Sequence, residues 1–557
     1  MSGRGHASMT DDIENTAYRL MLELVSIPSV SPSAQKETEI ARFIHTRLAR
    51  EQYFRDNPED LRLIECRNDP LKRYCLFALV RSARQTERTV LLTGHMDVVD
   101  TQVYGPLQDL AFDPERLTRR IGRMDLPDEA RKDLESGEWL FGRGVSDMKT
   151  SVAIELAYLM KAAENRGALP SNLAVLIVPD EENNSQGMID AVPYLRRMQE
   201  EEGFRFLACI NMEPTVGSAQ NAGPTIHMGS IGKINPFFFC LGRETHVGEY
   251  YQGLSAAPIV SRINLMLDGN TDYMDEFNGI SYLPWGCMRQ HDLRQEYSAS
   301  IMFKAVAFYS YLTVTKYPGD ILNEMRHIAE RALAETLDRH RVFSARFNES
   351  RGSASKTPRW TPKVLSFEQL CAQAAAMIET PIPEIAERIS REAPDHFDER
   401  DKALRLVERL VEACGLQGPL VVLGFLPPYY PHRGKDDQAP ADRALKAAIH
   451  SAVSAVWDEH AVAIETVDFF EGVSDLSYCG FAGDPLALEP IAYNLPGWGI
   501  YYTFPIDDLA AVRIPIVNIG PVGRDAHKMT ERVHVSYAMR TLPAVIDTAV
   551  RCIGDSP

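Results

Sequence analysis

The sequence lacks any apolar run approaching the ~18 residues that a membrane-crossing helix needs, so no membrane span is expected. Met1 to Asp12 is polar and carries no hydrophobic stretch of secretory type, so no leader is expected either. Positive charge is in deficit. Against 77 Asp and Glu stand 59 Lys and Arg, a net charge of -18, which argues against a nucleic-acid surface. Cysteine is sparse, 9 in all, and none forms a Cys-x-x-Cys pair. Buried reduced thiols are expected, and a disulfide framework is not. No Gly-x-Gly-x-x-Gly follows a strand, which removes the dinucleotide-binding fingerprint. There is no internal repeat and no low-complexity tract. What remains is a globular, cytoplasmic enzyme whose 557 residues are too many for one core, so two or more domains are expected.

The stretch that organises the chain is Val-Leu-Leu-Thr-Gly-His-Met-Asp, Val90 to Asp97. An apolar run that ends in glycine reads as a strand buried on both faces of a parallel sheet. Ligands of open α/β sheets sit beyond the carboxyl ends of such strands. His95 is therefore delivered to the catalytic edge, with Asp97 two residues on to orient its ring.

Asp11 and Asp12 cap a helix bearing Tyr18, Leu20, Met21, Leu24 and Val25. Ser26 to Ser33 breaks it, and a second helix shows Ile40, Phe43, Ile44 and Leu48 on one face. Leu76 to Val80 and Val90 to Leu92 read as adjacent strands, and Asp100 to Glu138 as a long polar loop. Gly142-Arg-Gly-Val-Ser-Asp-Met-Lys149 enters a helix over Val152 to Ala163, where Asp147 taken alone reads as a cap. Buried strands at Leu173 to Val178 and Phe206 to Asn211 end in Asp180-Glu-Glu182 and Glu213. From about 229 a β-α-β-β-α order with antiparallel character suggests an inserted α+β domain. Ser344 to Pro362 has a linker's composition, 365–414 is mostly helical, and Pro427 to Asp442 reads as a loop. A late strand, Pro515 to Ile519, leads into Gly520 to His527.

His95, Asp147, Glu182, Glu213 and His527 thus stand at strand or turn ends. All but Asp147 follow a buried strand. Two imidazoles with carboxylates are a nitrogen and oxygen set suited to zinc, and manganese or cobalt fit it too. A further carboxylate that is not a ligand is needed to take a proton from water.

The order Gly-His-Met-Asp, Gly-Arg-Gly-x-x-Asp-x-Lys, Asp-Glu-Glu, Met-Glu-Pro and a late Ala-His resembles the M20 family of metallopeptidases and deacylases. Within it the likeness is to the arginine-utilisation, RocB-like branch. The resemblance implies a mixed, mainly parallel α/β sheet flanked by helices, of the zinc-exopeptidase kind, interrupted by a lid. The corresponding ranges are 1–228 and 346–557 for the catalytic domain, the latter including the helical extension 365–414, and 229–345 for the lid. It implies two metal ions, one on His95, Asp147 and Glu213 and one on Asp147, Glu182 and His527. Glu181 matches the general base and Asp97 the acid on the His95 ring. His246 matches the lid histidine that polarises the oxyanion, reaching across in family dimers. The implied substrate is a small amide, an N-acyl amino acid or short peptide, in amino-acid catabolism.

This chain departs from the family at Thr150-Ser151, where small glycines are usual, and at Tyr309 to Val314, which lacks the lid arginine that grips a substrate carboxylate. Arg262 and Arg294 are the substitutes considered. His432 and His534 read as decoys on the surface or behind the site, and Ser474 and Asp475 as possible wall residues. Gly142 and Gly144 read as backbone necessities of their turn. The alternative is a catalytically silent binding or regulatory protein on the same scaffold, which would be expected to have lost Glu181 or a ligand.

Overall fold

The computed structural model describes residues 13–215, 223–294, 297–352, 358–394, 396–434, 439–481 and 483–556. The Asp11 and Asp12 cap lies outside them. The chain forms two compact units. The first comprises Met1–Ile231, Arg433–Ala482 and Pro505–Pro557, and the second Gly232–His432 and Gly483–Phe504.

The first unit is built on an eight-stranded mixed sheet. Its order is Leu61–Glu65, Tyr74–Val80, Asn172–Val178, Arg88–His95, Arg205–Asn211, Ile516–Asn518, Thr225–His227, Glu465–Val467. The four strands from Asn172–Val178 to Ile516–Asn518 are mutually parallel. Alternate residues on them serve opposite faces. Val90, Leu92, Leu173, Val175 and Ile177 join the core under the helices Ile13–Val25, Lys149–Glu164, Pro440–His460 and Leu542–Asp555. On the strand Tyr74–Val80, Phe77 falls outside that core and meets Tyr194 of the helix Gln186–Glu201 edge-on. Burial on both faces explains why these strands read as unbroken apolar runs.

Two expectations are corrected here. Tyr74–Val80 and Arg88–His95 are not neighbours, because Asn172–Val178 lies between them, antiparallel to the first and parallel to the second. Closeness in sequence does not make the two strands neighbours in the sheet. Residues 100–138 are not a loop but the helical segments Gln102–Leu110, Pro114–Ile121 and Asp128–Ser136. They enclose a small core of Tyr104, Leu117, Ile121, Ala130, Trp139 and Phe141. Their polar surface hid a few apolar anchors at helical spacing.

The second unit has a five-stranded sheet in the order Gly286–Asp292, Lys304–Thr313, Gly232–Leu241, Leu420–Tyr430, Lys363–Ser366. The helices Phe367–Met377, Ile382–Glu392 and Glu399–Ala413 pack on it through Phe237, Phe239, Val422 and Leu426. The inserted unit therefore runs to His432, not to 345, and includes 365–414, which had been assigned to the catalytic half. The cause is long-range pairing. Leu420–Tyr430 lies antiparallel along Gly232–Leu241, from Leu420 opposite Leu241 to Tyr430 opposite Lys233. The expected linker at 344–362 is in part the end of a helix, Pro318–Ser350. The expected loop at 427–442 begins in strand. Among the described residues no helix is long and apolar enough to cross a membrane.

The helical reading of 100–138 is tested by truncation. Leu117→Ala is expected to cost about 2–5 kcal/mol, as for a buried leucine, while exposed Val103→Ala stays within about 0.5 kcal/mol. Urea midpoints measure both, and equal midpoints would return the segment to a loop.

Candidate metal centre

Four adjacent parallel strands each carry one candidate ligand at or beyond the carboxyl end: Glu182, His95, Glu213 and His527, in sheet order. Asp147 arrives separately, from the turn before the helix Lys149–Glu164. It is not that helix's cap, which is Met148 with no side-chain hydrogen bond. Its carboxylate is turned inward instead. Asp147 Oδ1 lies 3.0 Å from His95 Nε2, and Oδ2 lies 3.3 Å from His527 Nε2. His95 Nε2 is also 3.6 Å from Glu213 Oε1, and His527 Nε2 is 2.9 Å from Glu182 Oε2. The five residues thus fall into two groups that share Asp147.

Electrostatics tests whether this donor set fits a cation. Burial pushes Glu181 and Glu213 well above the usual carboxylate range, and neighbouring carboxylates add to it. Glu182 is raised for the same reasons, against the pull of His527 and His95. Burial would also raise Asp147, but hydrogen bonds from His527 and His95 hold it well below its ordinary value. Hydrogen bonds to Asp147 and Glu182 carry His527 up to about 11. Burial opposes the charged form of His95, yet Asp147 and Asp97 hold it well above its ordinary value. The pocket is short of positive charge, and the imidazoles take up protons to supply it. A divalent cation does the same more fully. His95, Asp147 and Glu182 each present one donor atom, all within 4.8 Å of one another. The residues fit a metal.

Several groups hold the donors in place. His95 Nδ1 faces the backbone oxygen of Asp97 at 3.1 Å, with the Asp97 carboxylate at 3.6 Å. That carboxylate is engaged elsewhere, since Oδ1 and Oδ2 accept the backbone N–H groups of Glu181 and Glu182 at 3.2 and 3.1 Å. Asp97 therefore orients the ring mainly through its carbonyl and holds the acid pair through its side chain. Two further residues, Glu531 and Asn518, had no sequence signal. Glu531 Oε1 accepts N–H from Gly144, Ser146 and Asp147 at 2.8, 3.3 and 3.3 Å. Its other oxygen takes Arg143, which also donates to the carbonyl of His527. The buried Arg143–Glu531 pair so ties the Asp147 turn to the His527 loop. Asn518 exchanges two hydrogen bonds with the backbone of Glu213, at 2.9 and 3.0 Å. Gly144 sits at φ +77, as a left-handed turn requires, and a Cβ on Gly520 would stand 1.8 Å from the Glu213 carbonyl oxygen.

The remaining sequence candidates divide. Asp475 is buried within electrostatic reach of His95, Asp97 and Asp180, and burial pushes it up to about 7. Ser474 accepts from Asn211 at 2.8 Å. His246 belongs to the inserted unit, where its exposed ring caps a short turn by accepting from Gly248 N–H at 3.1 Å. Arg262 and Arg294 lie in that unit too, paired with Glu335 at 2.9 Å and Glu244 at 3.2 Å. His432 is half-buried against Tyr317, and burial lowers it to about 4. His534 packs edge-on against Trp139 and accepts from Tyr537 N–H.

A mixed α/β sheet that gathers imidazoles and carboxylates at the ends of its parallel strands defines a metal-dependent hydrolase. Residues 91–551 match the model of Peptidase family M20/M25/M40, and the chain belongs to that family. It is 32% identical over 541 residues to the uncharacterized protein YqjN of Bacillus subtilis (strain 168), covering 96% of this chain and 95% of YqjN. It is 29% identical over 530 residues to protein RocB of the same organism, covering 95% and 93%. Among solved structures, the di-peptidase Dug1p from Saccharomyces cerevisiae shares the fold at a TM-score of 0.53 and 13% identity, over 99% of this chain and 98% of that one.

Two outcomes follow from the site. At pH 7 His527, held up to about 11, carries a proton that an arriving cation displaces. Zinc affinity is therefore expected to rise with pH, about tenfold per unit for each proton released. Calorimetry in buffers of different ionisation enthalpy counts those protons, and a count of zero contradicts the assignment. Glu531→Ala strands buried Arg143 and three backbone N–H groups. It is expected to cost about 3–5 kcal/mol, read as a lower denaturant midpoint.

Proposed function

We propose that the chain is a dinuclear metal-dependent hydrolase of the amide bond in a small N-acyl amino acid or short peptide, serving amino-acid catabolism. The observation that carries this reading is the sharing of Asp147: one oxygen faces His95 beside Glu213, the other faces His527 beside Glu182. A bridging carboxylate between two nitrogen and oxygen sets is what a pair of ions needs. His95, Asp147 and Glu213 would hold one ion, and Asp147, Glu182 and His527 the other. Zinc suits both sets, and manganese and cobalt fit the same donors. When bound, such ions polarise the scissile carbonyl and acidify water toward pKa ~7.

Glu181 is assigned the proton transfer. It stands among the donors, and its raised affinity for a proton suits a group that takes one from water and hands it to the leaving nitrogen. Asp97 is assigned to fix the His95 ring and the backbone of the acid pair. His246, exposed on the inserted unit, is assigned to stabilise charge on the carbonyl oxygen. That unit is given the lid and dimer-forming role, and the unit built on the eight-stranded sheet the catalytic one. Because Arg262 and Arg294 are already engaged in ion pairs, substrates recognised without a carboxylate clamp rank first. Retention of Glu181 and of every donor weighs against a silent scaffold.

Glu181→Gln should bind the same number of metal ions as the parent and lose about 10²–10⁴-fold in turnover, the usual effect of removing a general base. Metal analysis beside a screen of N-acyl amino acids and dipeptides checks both halves. Near-normal turnover in this variant would overturn the assignment.

A further inference from the structure

Beneath the acid pair lies a buried ionic knot that the chemistry above does not use. Arg73, Glu37, Asp69 and Asp180 are 3%, 0%, 3% and 1% exposed. One guanidinium faces three carboxylates. Arg73 Nε and Nη2 reach Asp69 at 2.7 and 3.1 Å, and Nη1 reaches Glu37 at 3.1 Å and Asp180 at 2.6 Å. Glu37 in turn accepts the backbone N–H of Asp180 at 3.0 Å.

Asp180 is the residue on which the turn is wound. Its carbonyl accepts N–H from Asn183, Asn184 and Ser185 at 3.3, 3.1 and 2.7 Å. Its side chain accepts from Gln186 N–H at 3.2 Å, Asn183 at 3.3 Å and Ser31 at 3.2 Å. It holds φ +70, a left-handed conformation that strains an L residue and persists only where the surroundings enforce it. Glu181 and Glu182, next in sequence, are tied by their N–H groups to Asp97.

We propose that Arg73 is a positioning residue for the acid pair: its grip on the Asp180 carboxylate, together with Asp97, fixes the turn on which Glu181 and Glu182 stand. The roles of those two acids rest on the function proposed above, but the fixing of the turn does not. A guanidinium is needed because one planar group must serve three carboxylates at once. Lysine can supply the charge to Asp180 but fewer of the contacts. A purely structural cation would affect stability alone. A positioning one affects the turn and kcat.

The test uses the zinc-loaded full chain as the parent, Arg73→Lys and Arg73→Gln. Hydrogen exchange over 181–186 is expected to be about tenfold faster or more in Arg73→Gln, with the strand Arg88–His95 unchanged. On the best substrate of the screen, kcat should fall about 10–100-fold in Arg73→Gln with KM nearly constant, and Arg73→Lys should recover part of it. If Arg73→Gln does not fold, Asp180→Asn keeps the side-chain shape, weakens the same link and should show both effects. Unchanged exchange over 181–186 in a folded variant, or Arg73→Lys no better than Arg73→Gln, overturns the proposal. Absence of amide hydrolysis by the parent chain would sink the hydrolase reading instead, and the exchange measurement would still decide the role of Arg73.

Discussion

Asp147 is the interaction on which the rest depends. Its two oxygens face two imidazoles on separate segments, and Glu182 and Glu213 stand beyond them. Like charges 4 Å apart repel by about 4 kcal/mol even at an effective dielectric of 20. Such a cluster is tolerable only with compensating positive charge. Two protonated imidazoles offer part of it, and divalent ions offer more. The geometry is the consequence of four neighbouring parallel strands ending at one edge, each placing a side chain at or beyond its carboxyl end. The family to which the chain belongs, residues 91–551, spans all four of those strands' ligands.

Holding acids this close needs donors as well as cations. The structure uses backbone N–H groups wherever it can. Asp97 takes those of Glu181 and Glu182, Glu531 those of Gly144, Ser146 and Asp147, and Glu37 that of Asp180. Each of these carboxylates is buried, so each would be costly unpaired. Two of them are also gripped by a buried arginine, Glu531 by Arg143 and Glu37 by Arg73. The site is thus surrounded by acids that act on the backbone, while Asp147, Glu182 and Glu213 face the two imidazoles. This division explains why a chain with so many carboxylates can bury some of them without scattering charge through its core.

What was legible in the sequence follows from range. His95, Asp147, Glu182, Glu213 and His527 were readable because each ends a local pattern, a strand run or a glycine turn, and the order of such patterns is a family signature. The β-α-β-β-α start of the inserted unit was readable for the same reason. The pairing of Leu420–Tyr430 with Gly232–Leu241 was not, because nothing local in either strand names its partner. Nor was the insertion of Asn172–Val178 between two strands that are close in sequence. Glu531, Asn518 and Arg73 escaped notice because a lone polar residue just before a strand or at its end carries no period. Their importance lies wholly in what they touch.

The departure at Thr150-Ser151 shows how a substitution can be absorbed by the same logic. Both side chains are fully buried at the start of the helix that follows Asp147. A buried hydroxyl without a partner is costly, and left so these two would loosen the helix start. Instead Thr150 Oγ1 donates to the carbonyl of Val145 at 2.5 Å, and Ser151 Oγ donates to the carbonyl of Met212 at 2.6 Å. The first bond closes the Asp147 turn upon itself. The second ties the helix behind Asp147 to the residue just before Glu213. The two hydroxyls so link the elements that carry Asp147 and Glu213.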